Sequence, residues 1–168
     1  MKPFVFVFAL AACASPSIAS PTDTDAAKRA IGAALDDFHD AAARADEARY
    51  FAHFAPSGVF LGTDATERWD LAAFRAFAHP YFLKGKAWSF RATRRAIALS
   101  PYGRVAWFDE DLETEKLGPA RGSGVLTLAD GAWKIEQYNL TTVIPNERFA
   151  EVRALLDKPA PAPSASAH

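Results

Sequence analysis

Arg121-Gly122-Ser123-Gly124-Val125-Leu126-Thr127-Leu128-Ala129-Asp130-Gly131-Ala132-Trp133-Lys134-Ile135-Glu136-Gln137-Tyr138-Asn139-Leu140 is the stretch on which the fold turns. Asp130-Gly131 between two alternating runs is the pattern of a two-residue hairpin, because the favoured tight turn needs positive φ at both central positions. A regular turn fixes the register: Ala129 faces Ala132, Leu128 faces Trp133 and Leu126 faces Ile135. Continued, it sets Gly124 opposite Gln137 and Gly122 opposite Asn139 on the same side of the sheet. The other side carries Thr127 with Lys134, Val125 with Glu136, Ser123 with Tyr138 and Arg121 with Leu140. Lys134 and Glu136 make that side the wetter, so the first faces the core. The core side is filled near the turn by Leu and Trp and empties further along, where two glycines meet two amides. A strand glycine marks a bulge or a close approach to the backbone, and missing side chains beside polar ones suit a small-molecule pocket. The competing reading is that Gly122 and Gly124 only let the sheet curve, with Gln137 and Asn139 bonded to loop backbone.

Working upstream, Trp88–Leu99 and Arg104–Glu115 alternate as two further strands joined by the turn Ser100-Pro101-Tyr102-Gly103. The N-terminal half has helical spacing instead. Asp23 or Thr24 caps a helix to about Arg44, with Ile31, Leu35, Phe38 and Ala42 on one stripe. Asp46 starts a short helix carrying Tyr50, Phe51 and Phe54, stopped by Pro56 and Gly58. Val59–Leu61 is a short strand and Gly62–Trp69 a polar turn. Asp70 caps a third helix with Leu71, Phe74 and Phe77 inward and Pro80 just beyond its end. Asn146 caps a last helix bearing Phe149, Val152, Leu155 and Leu156. Helices followed by a run of antiparallel strands predict an α+β fold, the helices covering one face of a curved sheet.

The chain has 168 residues, half of them hydrophobic, which suits one compact domain. Its 19 basic and 20 acidic residues leave a net charge of −1, so there is no basic face for nucleic acid. One cysteine excludes a disulfide scaffold and a cysteine-cluster metal site. The N-terminus is an address. Met1-Lys2 is followed by an apolar run, Phe4–Ala12, too short to span a bilayer but suited to a signal-peptide core. Leu10-Ala11-Ala12-Cys13 resembles the bacterial lipobox, in which Cys13 becomes the lipid-bearing N-terminus; Ala14 after it leans toward the outer membrane. The alternative is a plain secretory signal cut after Ala14 or Ala19. Both mean export. Residues 1–12 are then a signal peptide, 13–23 a tether, 24–157 the folded domain and 158–168 a disordered tail.

Several strings belong together: Phe60-Leu61-Gly62-Thr63-Asp64, Glu67-Arg68-Trp69, Ala106-Trp107-Phe108-Asp109-Glu110, Arg121 to Leu126, Trp133-Lys134-Ile135 and Gln137-Tyr138-Asn139-Leu140. Over about residues 26–147 they resemble the SnoaL-like branch of the nuclear transport factor 2-like superfamily, whose fold is also described as cystatin-like. The resemblance implies a cone: a strongly curved antiparallel sheet wrapped around a long N-terminal helix, with two shorter helices closing the wide end. It implies much less about function, because the superfamily holds polyketide cyclases, ketosteroid isomerase, dehydratases and non-catalytic binding or dimerisation modules.

Asp109 is the candidate catalytic residue, since cyclases and isomerases of this fold use a carboxylate in the cone to move a proton beside a carbonyl. It shares a strand face with Trp107. The other face holds Ala106, Phe108, Glu110 and Leu112, and alternation does not choose between them. The structural alternative is Asp109 paired with Arg94 or Arg121. Asp64, Glu67 and Arg68 lie in a loop at the cone mouth beside Trp69, placed either to orient a polar ligand or to fix the loop. His39, His53, His79 and His168 are scattered, so no metal is expected. Gly122-Ser123-Gly124 lacks the strand-turn-helix context of a nucleophile elbow, and the glycines miss the dinucleotide fingerprint, so no cofactor is expected. The resulting expectation is an exported domain on the periplasmic side of a bacterial membrane, lipid-anchored through Cys13. It binds a small, partly apolar ligand with Asp64, Glu67, Trp69, Trp107, Gly122, Gly124, Gln137 and Asn139. Two rivals stand beside it. One is a cofactor-free isomerase, cyclase or dehydratase using Asp109 or Glu110; the other is a homodimeric interaction module joined through the convex face at Ser123, Val125 and Tyr138.

Overall fold

The computed structural model describes residues 21–85 and 87–159. The signal peptide expected at 1–12, Cys13 and the end of the tail lie outside the described residues. Helix α1 spans Pro21–Ala43, so residues 21–23, expected in the tether, form its first turn. Proline suits a first helical position because its missing N–H is one the helix leaves unbonded. Ile31, Leu35, Phe38 and Ala42 are buried as one stripe. Helix α2 (Glu47–Ala52) starts where the Asp46 side chain accepts the Arg49 N–H at 3.1 Å. Arg49 Nε and His53 Nε2 both reach Asp37 on α1, at 3.0 and 2.8 Å, and hold α2 against α1.

Strand β1 (Phe54–Leu61) is longer than the sequence suggests. It pairs at Phe54, loses register through Pro56 and Gly58, and resumes at Val59. A proline withholds a ladder donor, so such an interruption is where it fits a strand. The expected turn before α3 contains a short strand, β2 (Arg68–Asp70). Helix α3 (Leu71–Leu83) is capped by Asp70, which accepts the Ala73 N–H at 2.8 Å. It continues through Pro80 instead of ending before it, because buried Phe74, Ala78 and Phe82 anchor it on both sides of the proline. Phe77, expected inward, is largely exposed.

Strands β3 (Arg91–Leu99), β4 (Val105–Glu113), β5 (Ala120–Ala129) and β6 (Ala132–Thr142) complete a six-stranded sheet of order β2-β1-β6-β5-β4-β3. It is mixed rather than wholly antiparallel, since β1 and β6 run parallel. These two are joined by the whole intervening chain, so no tight turn dictates their relative direction. The sheet curls around α1, which lies on β3 and β6, while α3 lies on β1 and β2. Aromatic rings fill the centre: Phe38 stacks on Tyr50 with centroids 4.4 Å apart. The last helix, α4 (Phe149–Leu156), follows a 3-10 turn at Asn146–Arg148. Its apolar stripe does not join the core. Extended Pro145 leads the chain away from the sheet, and Phe149, Leu155 and Leu156 stay exposed.

Candidate functional site

The hairpin turn is the one the sequence predicts, with φ of 50° at Asp130 and 78° at Gly131. Leu128 pairs with Trp133 and Leu126 with Ile135. One residue further the register slips. Val125 pairs with Gln137, Gly124 with Tyr138 and Gly122 with Leu140, leaving Glu136 as the extra residue of a bulge. A single inserted residue exchanges the faces of everything beyond it. Gln137 and Asn139 therefore move to the outer face, and Tyr138 and Leu140 turn into the core. The glycines make room for protein. A Cβ at position 122 would lie 2.2 Å from the Tyr138 hydroxyl, and one at 124 would lie 2.0 Å from the Gln137 carbonyl. Gly122, Gly124, Gln137 and Asn139 thus do not line a cavity, which corrects the expectation built on them.

Tyr138 occupies that space as part of a polar cluster inside the cone. Glu110 on β4 is 0% exposed. Its Oε1 accepts hydrogen bonds from His39 Nε2 at 2.7 Å and the Tyr138 hydroxyl at 3.0 Å. Its Oε2 accepts from Arg95 Nε at 2.7 Å. Arg95 Nη1 donates in turn to the Gly32 carbonyl at 3.0 Å and to Asp36 at 2.8 Å. The cluster thus ties α1 to β3, β4 and β6. Arg95 points inward because a bulge between Ala92 and Arg94 shifts the parity of β3. Burial pushes the Glu110 carboxyl up, but the hydrogen bond and charge of His39, followed by Arg95, outweigh burial and hold it below the ordinary value. Burial, with Glu110 beside it, raises the Tyr138 phenol well above its usual range and keeps it a donor.

The strand face left open by alternation is settled by this cluster. Ala106, Phe108, Glu110 and Leu112 point inward. Asp109 therefore faces out, where Arg94 Nη2 donates to it at 2.9 Å; the proposed catalytic carboxylate is part of a surface ion pair. Trp107, expected to bind ligand, is 51% exposed on the same outer face.

The cavity lies at the wide end, between α3, the β1–β2 loop, residues 87–91 and residues 113–117, with a volume of about 1050 Å³. One wall is a run of aromatic rings. Phe60 stacks on Phe74 at 4.1 Å, and Trp69 on Phe77 at 4.6 Å, with interplanar angles of 14° and 21°. Tyr81, Trp88 and Phe90 continue the lining, with Ala43 and Leu140 between them. Polar groups ring it: Thr63, Glu67, Ser89, Arg91, Glu113 and Thr114 among others. Arg91 pairs with Glu113 across β3 and β4. Neither His39 nor Glu110 lines the cleft; Phe90, whose ring is 6.2 Å from the His39 imidazole, does.

Of the residues expected to hold ligand, Glu67 and Trp69 line the cleft. Asp64 does not: its carboxylate accepts the Thr66 N–H at 2.8 Å and hydroxyl at 2.6 Å, bonds that lower its pKa and fix the loop. The described histidines each meet a carboxylate, His39 with Glu110, His53 with Asp37 and His79 with Glu47. Among the described residues no three His, Cys, Asp or Glu side chains converge as a metal site. Two features escaped the sequence. Phe77 has helical spacing and reads as core, while Tyr81 falls beyond Pro80, past the expected end of the helix. His39 and Glu110 sit at core positions of a helix stripe and an alternating strand, and a charged residue at a core position was the available signal.

The same fold recurs in solved structures. A domain with a cystatin-like fold from Nostoc punctiforme is 21% identical, with TM-score 0.62 over 82% of this chain and 90% of that one. A candidate scytalone dehydratase from Novosphingobium aromaticivorans is 15% identical, with TM-score 0.62 over 73% and 89%. A candidate dehydratase of the nuclear transport factor 2-like family from Streptomyces avermitilis is 13% identical, with TM-score 0.61 over 73% and 99%. At these identities the likeness shows the fold alone. No curated protein matches the chain. The profile of the SnoaL-like domain matches residues 31–145, the helix, the curled sheet and the aromatic cleft between them, and the chain belongs to that family.

Proposed function

We propose that this domain binds a small, partly apolar molecule in the aromatic cleft, after export to the periplasmic side of a bacterial membrane. The supporting observation is the ring wall, Phe60, Phe74, Trp69 and Phe77, on a cleft of about 1050 Å³. Small-molecule sites are concave, mostly apolar and edged by a few polar groups, and the volume is of the usual order. Phe77 and Tyr81 are 41% and 42% exposed, an arrangement that costs solvation free energy unless something covers them.

Binding is favoured over proton transfer. The outward Asp109 cannot serve the cleft. Glu110 is ionised, sealed and already bound by His39, Tyr138 and Arg95, whereas a poised base needs a raised pKa and access to substrate. Export rests on Lys2, the apolar run Phe4–Ala12 and Leu10-Ala11-Ala12-Cys13. Metabolic labelling with a fatty acid is expected to mark the wild-type chain and not Cys13→Ser; equal labelling of both would remove the anchor.

The binding reading is tested by calorimetric titration with 1-naphthalenemethanol, a neutral, flat probe. Saturable binding is expected, weakened about tenfold or more in Trp69→Ala, in line with losing one buried aromatic contact. No heat, or equal affinity in both proteins, contradicts it.

A further inference from the structure

We infer that the natural ligand is an organic cation: a flat apolar body carrying an ammonium group, seated with its positive end between Glu67 and the rings of Trp69 and Phe77. This rests on the cleft being the ligand site. Glu67 immediately precedes β2, which carries Trp69, and both residues line the cleft. Glu67 is half-buried, and its Oε2 accepts the Asp64 N–H at 3.1 Å. No lysine, arginine or histidine forms an ion pair with it among the described residues.

Among the described residues the other charges of the cleft do not supply that missing partner. Arg91 is committed to Glu113, which leaves Glu67 and Glu115 against Lys116. A half-buried carboxylate without a counter-ion gains from one, and an aromatic face attracts cations through its quadrupole. Glu67 and the Trp69–Phe77 pair offer both at one end of the wall. Lys84, whose Nζ stands 5.9 Å above the Tyr81 ring, does not line the cleft. A neutral ligand leaves Glu67 unpaired, and an anion is repelled by it.

Three probes of one shape test this by calorimetry at neutral pH: 1-naphthylmethylamine, 1-naphthalenemethanol and 1-naphthoate. The amine is expected to bind roughly tenfold more tightly than the alcohol, and the carboxylate most weakly. Glu67→Gln retains an acceptor for the Asp64 N–H; it is expected to erase the amine's advantage while the alcohol still binds saturably, the variant's fold being checked by circular dichroism. Equal affinity for amine and alcohol, or an advantage that survives Glu67→Gln, overturns the cation inference and leaves the cleft as a binding site. Binding of none of the three overturns both.

Discussion

Glu110 is the residue whose environment is most sharply defined, because a charge with no exposed surface must be met by the protein itself. It is met by His39, Tyr138 and Arg95, and through Arg95 by Asp36 and the Gly32 carbonyl. Removing the charge strands Arg95, so Glu110→Gln is expected to destabilise the domain by about 3 kcal/mol, measured by urea unfolding at pH 7. The pH dependence follows from the direction of the shift. The carboxyl titrates below its ordinary value of 4.5 in the folded chain, so its contribution is fully present above about that pH. The contribution is lost as pH falls through the lower folded value. Wild-type stability should therefore drop more steeply than that of Glu110→Gln as pH falls below about 4.5, and parallel curves would contradict the role given to this carboxylate.

At the scale of elements, the sequence carried the kinds and order of structure and lost the faces. The hairpin, the helix stripe and the caps at Asp46 and Asp70 were legible because turn chemistry and periodicity are local, whereas Asp23 and Thr24 lie inside α1 and Asn146 caps no helix. The bulge at Glu136 was not, and it decided which of Gln137, Tyr138 and Asn139 entered the core. No residue there announces a bulge; it follows from fitting Tyr138 over Gly122 beside Glu110. The cleft was legible only in Glu67 and Trp69, since its remaining rings come from elements whose apolar spacing reads equally as core. Helix α4 misleads in the opposite sense, with an apolar stripe that the domain does not bury. Ending the chain after Pro145 should therefore shift the melting midpoint by less than about 2 °C. A loss above about 5 °C would mean that α4 packs on the domain.

At the scale of the whole molecule, the described residues leave apolar surface uncovered in the cleft and on the outer sheet face as well as on α4. On the outer face Ala98, Trp107 and Val125 align across β3, β4 and β5, beside ion pairs of Arg94 and Arg121 with Asp109 and Asp111. We propose that two copies meet there through Trp107 and Val125, with Tyr138, once expected at such an interface, locked in the core. Sedimentation equilibrium at micromolar concentration should give a dimer mass that Trp107→Glu reduces to a monomer; a monomeric wild type would contradict it. The direct measurement of the cleft's role is a crystal structure of the chain grown with 1-naphthalenemethanol. The naphthyl density is expected against Trp69 and Phe77 with Trp88 nearby, while the space above Gly122 stays filled by Tyr138. Density only on the outer sheet face, or an empty cleft at saturating probe, would contradict it.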